Sequence, residues 1–272
     1  MAETSMEATT NDNVQLLAVL VDPDENEESE YRFLVDGRHV KYVTVAPGIL
    51  AKDKRTFALV LIPGLPPFPP GDWNEGHVGH DSASGKPSFI RTVKADLAGV
   101  KTTWHATYID HLELHKLDHF RQNIHKVSHP LFDHPVVAKF TEFPWQTPYL
   151  EAETVAYQWI EGSGIAPRFL GHLTEEGRVI GFVLEYIENA KTAGPEDLAA
   201  CQGVLKRLHS LGIKHGDINK YNLLVQGDRV FLLDFESAKK GASLSDLEAE
   251  YQQLGESLRN PSLRGGIPQM LP

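Results

Sequence analysis

The sequence predicts an α+β fold with a β-rich N-terminal part and a mainly helical C-terminal part. Three observations carry this prediction. Apolar runs of strand length recur in the first half of the chain, amphipathic helical patterns occupy much of its last third, and a helix–loop–strand passage lies at 195–233. With 272 residues, 41 % of them hydrophobic and 23 % charged, the chain has the size and composition for such a fold.

The N-terminal part indicates β structure behind a polar tail. Residues 1–13 are polar and are expected to be disordered. Apolar runs at 14–21 and 31–45 predict strands, and Asp36-Gly37 within the second run is typical of a hairpin turn. Residues 57–62 predict a further strand, and the Pro/Gly-rich passage 63–85 predicts a loop. We assign residues 14–87 to a β-rich extension.

Residues 88–187 are assigned to the N-terminal lobe proper. His111, His115 and His119 recur every four residues, which predicts one helical face. Such spacing can suit a metal ion, but carboxylate or cysteine companions at ligand spacing are missing from the sequence, so a polar helix face is the simpler interpretation. A strand at 136–140, a helix at 149–160 and a strand at 179–186 follow.

Residues 188–272 form the predicted C-terminal lobe. Residues 195–211 predict a helix with Pro195 near its start, Gly212 at its end and one apolar stripe, on which Cys201 is expected to be a core residue. Short strands at 223–225 and 230–233 and a helix at 244–258 complete the lobe.

Polar residues suited to phosphoryl transfer lie between these elements. Asp217 follows the helix directly, Asn222 lies five residues later just before a strand, and Asp234 ends the next strand. Moving a phosphoryl group from ATP requires cations on the phosphates, oxygen ligands for Mg²⁺ and an acceptor near the receiving hydroxyl. These three side chains can supply the oxygen ligands and the acceptor.

The run from His215 to Leu224 and the Asp-Phe-Glu at 234–236 resemble the protein-kinase-like superfamily. The closest likeness is to its HGD-type branch, the aminoglycoside and choline phosphotransferases and the small atypical kinases, with the appearance of a reduced fungal-type member. The resemblance implies a two-lobe protein-kinase-like fold with a β-rich N-terminal lobe and a shortened, mainly helical C-terminal lobe. It implies Asp217 as the catalytic base or as the residue that orients the substrate hydroxyl, and Asn222 and Asp234 as ligands of Mg²⁺.

Upstream parts of the same pattern occur in the expected order. The resemblance implies that Lys139, in Val-Val-Ala-Lys, grips the ATP phosphates and pairs with Glu153 on the next helix; Glu151 is a nearby competitor for that pairing. Residues 182–187 resemble the hinge between lobes. The likeness implies adenine hydrogen bonds from the backbone of Glu185 and Ile187, with Leu184 behind the base.

Four departures from the pattern bear on function. No Gly-rich loop precedes Lys139, and the nearest candidate, 97–100, is poor. Gly216 replaces the arginine of conventional protein kinases, which argues against control by activation-loop phosphorylation. Glu236 replaces the glycine after Asp-Phe, and only 36 residues follow it, so the expected platform for peptide substrates is mostly missing.

The sequence therefore predicts a phosphotransferase that uses ATP and Mg²⁺ on a small-molecule hydroxyl. An atypical protein Ser/Thr kinase and a pseudokinase-type scaffold are the alternatives. A net charge of −11 argues against a dedicated nucleic-acid binder. The single cysteine, the absence of a signal-like N-terminus and the short apolar runs predict a cytoplasmic protein without a membrane partner, and oligomeric state stays open.

Overall fold

The computed structural model describes residues 11–24 and 26–260, which fall into two compact units divided between Leu97 and Ala98. Residues 1–10, most of the predicted disordered tail, lie outside the described residues. The same prediction is wrong for Asn11, which is buried. Its side-chain amide donates to the Ile62 carbonyl at 3.2 Å and accepts from the Phe68 amide at 3.0 Å, so this residue is held by backbone partners.

The first unit is built on a five-stranded sheet. Its strands, in spatial order, are β1 (Val14–Leu20), β2 (Ser29–Val35), β3 (His39–Val45), β4 (Glu75–His80) and β5 (Pro87–Val93). Neighbours are antiparallel except for the parallel pair β3–β4. The predicted turn at Asp36-Gly37 is confirmed: both residues have positive φ, and they connect β2 to β3.

Two sequence predictions within the first unit are wrong. Residues 57–62, predicted as a strand, belong mostly to the helix α1 (Ala58–Gly64), where the buried Leu61 contacts the core and Leu59 is 75 % exposed. Their apolar run is too short to separate a strand from a helix by periodicity. The predicted loop at 63–85 contains β4, whose two glycines and two histidines hide its strand character. β5 also crosses the predicted boundary at residue 87.

The second unit begins with a six-stranded sheet. Its strands, in chain order, are β6 (Tyr108–Asp110), β7 (His115–Arg121), β8 (Ile124–Ser128), β9 (Val136–Phe140), β10 (Phe169–Glu175) and β11 (Arg178–Glu185). The spatial order is β6-β10-β11-β9-β8-β7, with only β6 and β10 parallel. The strand β9 therefore lies inside the sheet, between β11 and β8.

The predicted helical face of histidines is wrong. His115 and His119 belong to the strand β7, and His111 lies in a short 3-10 turn before it. β7 is an edge strand with mostly exposed residues, so pairing with β8 rather than burial of one face determines its conformation.

Helices dominate the rest of the second unit. α2 (Thr147–Trp159) precedes β10, and α3 (Leu198–Ser210) and α4 (Leu244–Arg259) pack together in the C-terminal part. Short strands make two small sheets: β12 (Lys191–Thr192), β14 (Leu223–Gln226) and β15 (Arg229–Leu232); β13 (Ile213–Lys214) and β16 (Lys239–Lys240). The predicted stripe on α3 is buried at Cys201, Val204, Leu205 and Leu208, whereas its predicted last member, Leu211, lies just beyond the helix and is exposed.

The α+β prediction is thus confirmed, with a sheet-rich N-terminal part and a mainly helical C-terminal part. A core of 24 buried residues joins α2, α3 and α4 to β11, β14 and β15. Within the described ranges, no helix combines the length and the apolar character that crossing a membrane requires.

Candidate active site

Lys139 is held between two carboxylates. It projects from β9, and its Nζ lies 2.6 Å from Glu153 Oε2 on α2 and 2.7 Å from Asp234 Oδ1 after β15. Glu151, the competitor for this pairing, instead accepts hydrogen bonds from the backbone amides of Lys101 and Thr102 and from the Thr102 hydroxyl. The structure therefore brings Lys139, Glu153 and Asp234 together from three separate elements.

Burial and mutual attraction act in opposite directions on the charges of this cluster, and for Glu153 burial prevails and raises the pKa. Burial alone would lower the pKa of Lys139, but the negative charges of Glu153 and Asp234 outweigh it and raise that pKa above the ordinary value. Burial would likewise raise the pKa of Asp234, yet the Lys139 charge and hydrogen bond lower it overall. Lys139 is thus an ammonium and Asp234 a carboxylate at neutral pH.

The backbone of Asp234 adopts a left-handed conformation, with φ of 64°. Non-glycine residues adopt this region infrequently, and asparagine and aspartate are enriched among those that do. The preceding Leu233 amide donates to the Asn222 carbonyl at 2.9 Å, which ties the end of β15 to the start of β14. This conformation directs the Asp234 carboxylate to Lys139 at the strand terminus.

Asp217 and Asn222 form a second polar cluster. Asn222 Nδ2 donates to the Asp217 carbonyl at 3.0 Å and to Asp217 Oδ2 at 3.2 Å, and Asn219 Nδ2 donates to the same carboxylate oxygen at 3.2 Å. Asn219 also caps the short turn that follows, accepting from the Tyr221 amide at 2.9 Å. The two side-chain amides therefore orient the Asp217 carboxylate through one of its oxygens.

Glu250 supports this loop from α4 and was missed from the sequence. Its carboxylate accepts from the backbone amides of His215 at 3.0 Å and Gly216 at 2.7 Å, and it lies 2.8 Å from His209 Nε2. A signal for it exists, because Glu250 falls on the same helical stripe as the buried Leu247 and Leu254. An acidic residue on a core-facing stripe indicates a buried hydrogen-bond acceptor.

His215 and Gly216 are held by packing and backbone geometry. The fully buried His215 has its Nε2 2.9 Å from the Leu233 carbonyl, and burial lowers its pKa. Gly216 has φ of 88°, and a Cβ there would collide with the carbonyl oxygen of Ser237. Any other residue at position 216 would therefore require a shift of the backbone.

A cavity of about 1040 Å³ opens beside Lys139. Seven of the eight predicted site residues line it: Lys139, Glu153, Leu184, Glu185, Ile187, Asn222 and Asp234. The eighth, Asp217, is hydrogen-bonded to the lining residue Asn222. Ile187 lies just beyond the end of β11, where it makes no backbone hydrogen bond to another described residue. The cavity therefore combines an apolar wall, a backbone edge and a charged cluster.

The residues present fit a magnesium ion. Mg²⁺ prefers one or two protein oxygens, with phosphate and water completing its coordination. Asp234 offers a carboxylate, and Asn222 uses its amide nitrogen for Asp217, which leaves its amide oxygen available. Over the described part of the chain, three or more His, Cys, Asp or Glu side chains do not gather into a metal-binding group. The donor set suits a metal that shares its coordination with a nucleotide.

The nearest candidate for a Gly-rich loop lies elsewhere. The Val100 amide donates to the Val179 carbonyl at 2.8 Å, and a Cβ on Gly99 would meet the same carbonyl at 3.1 Å. This segment packs along the start of β11. The cavity lining before β9 comes from the β7–β8 hairpin instead: Phe120, Arg121 and Ile124.

No protein-family model matches the chain. A stretch of 85 residues is 32 % identical to a probable bifunctional tRNA threonylcarbamoyladenosine biosynthesis protein of Methanocorpusculum labreanum. The match covers 30 % of this chain and 15 % of that relative, so the chain spans only a small part of the relative's length.

Proposed function

We propose that the chain is an ATP- and Mg²⁺-dependent phosphotransferase that acts on a hydroxyl group of a small molecule. The observation that carries the proposal is the Lys139 ammonium held between Glu153 and Asp234 in a cavity that Asn222 also lines. A buried cation beside two oxygen donors suits a metal–triphosphate group, because the cation can contact phosphate while the oxygens bind the metal.

The nucleotide would be held by the apolar wall, the backbone edge and the charged cluster of the cavity. Leu184 would pack behind the adenine, and the backbone of Glu185 and Ile187 would bind its polar edge. Lys139 would contact the phosphates, with Glu153 fixing its orientation. Mg²⁺, bound by Asp234 and Asn222, would supply charge neutralisation of the phosphates.

Asp217 would accept the proton of the receiving hydroxyl. Its Oδ2 is occupied by the amides of Asn219 and Asn222, which leaves Oδ1 as the atom that can take the proton. A base held in this way needs no reorientation as the oxygen attacks the phosphorus. The Glu250 carboxylate accepts from the amides of His215 and Gly216, just before Asp217, and so keeps the loop in place.

A thermal-shift titration with ATP and Mg²⁺, followed by turnover measurements with a panel of hydroxyl-bearing metabolites, tests the proposal. Saturating ATP·Mg²⁺ should raise the melting temperature, because it binds only the folded chain. Asp234→Ala should abolish the metal-dependent part of that shift, and Asp217→Ala should keep the shift but lose turnover. Asp228→Ala, in the exposed β14–β15 turn, is the matched control. No shift in the wild-type chain, or an equal shift in Asp234→Ala, would refute the proposal.

A second candidate is phosphotransfer or ATP hydrolysis linked to tRNA modification. The 85-residue match to a tRNA threonylcarbamoyladenosine biosynthesis protein favours it, and the net charge of −11 opposes direct RNA binding. ATP hydrolysis measured with and without unmodified tRNA distinguishes the candidates. Stimulation by tRNA, absent in Asp217→Ala, would favour the second candidate over the first.

A further inference from the structure

The cavity contains a cation that pairs with no carboxylate of the described residues. Arg121, at the end of β7, lines the cavity and is partly exposed. Lys139, by contrast, forms ion pairs with two carboxylates, those of Glu153 and Asp234. The charge of Arg121 reaches Asp234 through space without a hydrogen bond. Because the formal charges of Lys139, Glu153 and Asp234 sum to −1, that cluster has no positive charge to spare, and the Arg121 guanidinium supplies one for an incoming anion.

An irregularity in the hairpin directs Arg121 into the cavity. His119 pairs with His125 and Arg121 with Ile124, so two steps along β7 correspond to one step along β8. Phe120 is therefore the extra residue of a β-bulge. In a regular strand adjacent side chains point to opposite faces, whereas a bulge redirects them. Here Phe120 and Arg121 both line the cavity.

Several contacts fix this end of the hairpin. The Phe120 ring stacks on Tyr186 with centroids 6.2 Å apart, and Lys126 Nζ lies 4.1 Å from the centre of the same tyrosine ring. The Phe140 amide donates to the Asn123 carbonyl at 3.2 Å, which joins the turn to β9. Arg121 is thus presented by a braced segment rather than by a free loop.

We propose that Arg121 binds the phosphate chain of the nucleotide by its guanidinium, in the place where the sequence offers no glycine-rich loop. The inference rests on the proposed function. Residues 120–124 contain no glycine, so close approach of the backbone to phosphate is not favoured there. A guanidinium binds two phosphate oxygens at once and reaches them from a distance that a backbone amide cannot.

Calorimetric titration of the full chain with ATP·Mg²⁺, ADP·Mg²⁺ and adenosine tests this assignment. Arg121→Ala should weaken ATP and ADP binding by about 10- to 100-fold, the scale of a lost charged hydrogen bond. Adenosine binding should change by less than about 2-fold, since Arg121 would touch only phosphate. Arg121→Lys should recover part of the loss, because it keeps the charge but not the bidentate geometry. The exposed neighbour Gln122→Ala serves as control.

The outcomes separate this assignment from the proposed function. Unchanged ATP affinity in Arg121→Ala, with ATP binding to the wild-type chain intact, overturns the role of Arg121 alone. An equal loss for adenosine and ATP also overturns it, since that pattern indicates a distorted hairpin. A wild-type chain that binds neither ATP nor adenosine overturns both proposals. The urea midpoint of Arg121→Ala should match that of Gln122→Ala, which excludes a folding defect.

Discussion

Replacing Glu250 by alanine should destabilise the second unit strongly, although Glu250 contacts no ligand-binding residue of the cavity lining. The carboxylate accepts from two backbone amides, those of His215 and Gly216, and pairs with the ring of His209. The buried His215 amide costs about 1–3 kcal/mol when it is left without an acceptor, and the Gly216 amide, in an exposed residue, adds less, so we predict a loss of about 2–4 kcal/mol. Glu250→Gln keeps one acceptor oxygen and should cost about half as much.

Urea unfolding followed by tryptophan fluorescence measures this loss. Three of the four tryptophans, Trp104, Trp145 and Trp159, lie in the second unit, so the signal reports mainly on it. Glu256→Ala, exposed on the same helix, is the matched control and should stay within about 0.5 kcal/mol of wild type. Hydrogen exchange at the His215 and Gly216 amides gives a local readout and should accelerate in Glu250→Ala.

Acid should remove the same contribution in the wild-type chain. Burial opposes ionisation of Glu250, but its hydrogen bonds with His209 and the two amides outweigh burial and lower its pKa. A carboxylate with a lowered folded pKa stabilises the fold above its unfolded pKa of about 4.3, and that contribution is lost as the pH falls further. The stability gap between wild type and Glu250→Ala should therefore narrow below about pH 4. Stability of Glu250→Ala equal to that of Glu256→Ala at pH 7 would refute the reasoning.

Two further predictions concern glycine and histidine. Gly216→Ala should lower the free energy of unfolding in urea by more than about 2 kcal/mol, because a Cβ there meets Ser237. Gly203→Ala, exposed on α3 with open space around it, should raise that free energy by about 0.5–1 kcal/mol. Equal effects of the two substitutions would contradict the strain argument. Burial lowers the pKa of both His125 and His172 from 6.5 to about 4, so the unfolded chain binds more protons between these values and stability should fall as pH drops from about 6.5 to 4. Each histidine should change the free energy of unfolding by up to about 1.4 kcal/mol per pH unit. In the double variant His125→Gln/His172→Gln that free energy should therefore depend less steeply on pH. A slope equal to that of the wild-type chain would exclude the two histidines as the source of the pH dependence.

The C-terminal part of the fold was readable because its patterns are long and locally consistent. Helices α2, α3 and α4 and the strand β9 lie close to their predicted positions, since amphipathic stripes and Gly or Pro boundaries agree there. The histidines of β7 were misassigned because a spacing of four occurred by composition on an exposed edge strand. Pairing with β8 in the adjoining hairpin determines its conformation, and the spacing of the histidines does not reveal that pairing.

The sequence likewise predicts only part of the candidate site. Lys139, Glu153 and Asp234 lie far apart in the sequence, yet the order of motifs anticipated the elements that carry them, and the structure places the three side chains in contact. Glu250 and Arg121 could not be placed in this way. Glu250 acts through backbone amides of a loop 34 residues away, and Arg121 enters the cavity only because of a bulge in strand pairing. Neither effect leaves a motif in the chain.

The lone cysteine has a practical consequence for measuring motion at the cavity. Cys201 is fully buried on α3, and burial raises the pKa of its thiol to about 11, so it resists alkylation in the folded chain. A cysteine introduced at the exposed Gln122 would therefore be the one site that a maleimide probe modifies under native conditions. A fluorophore or spin label at that hairpin tip would report whether the β7–β8 segment moves when nucleotide is added, without removal of any natural residue from the core.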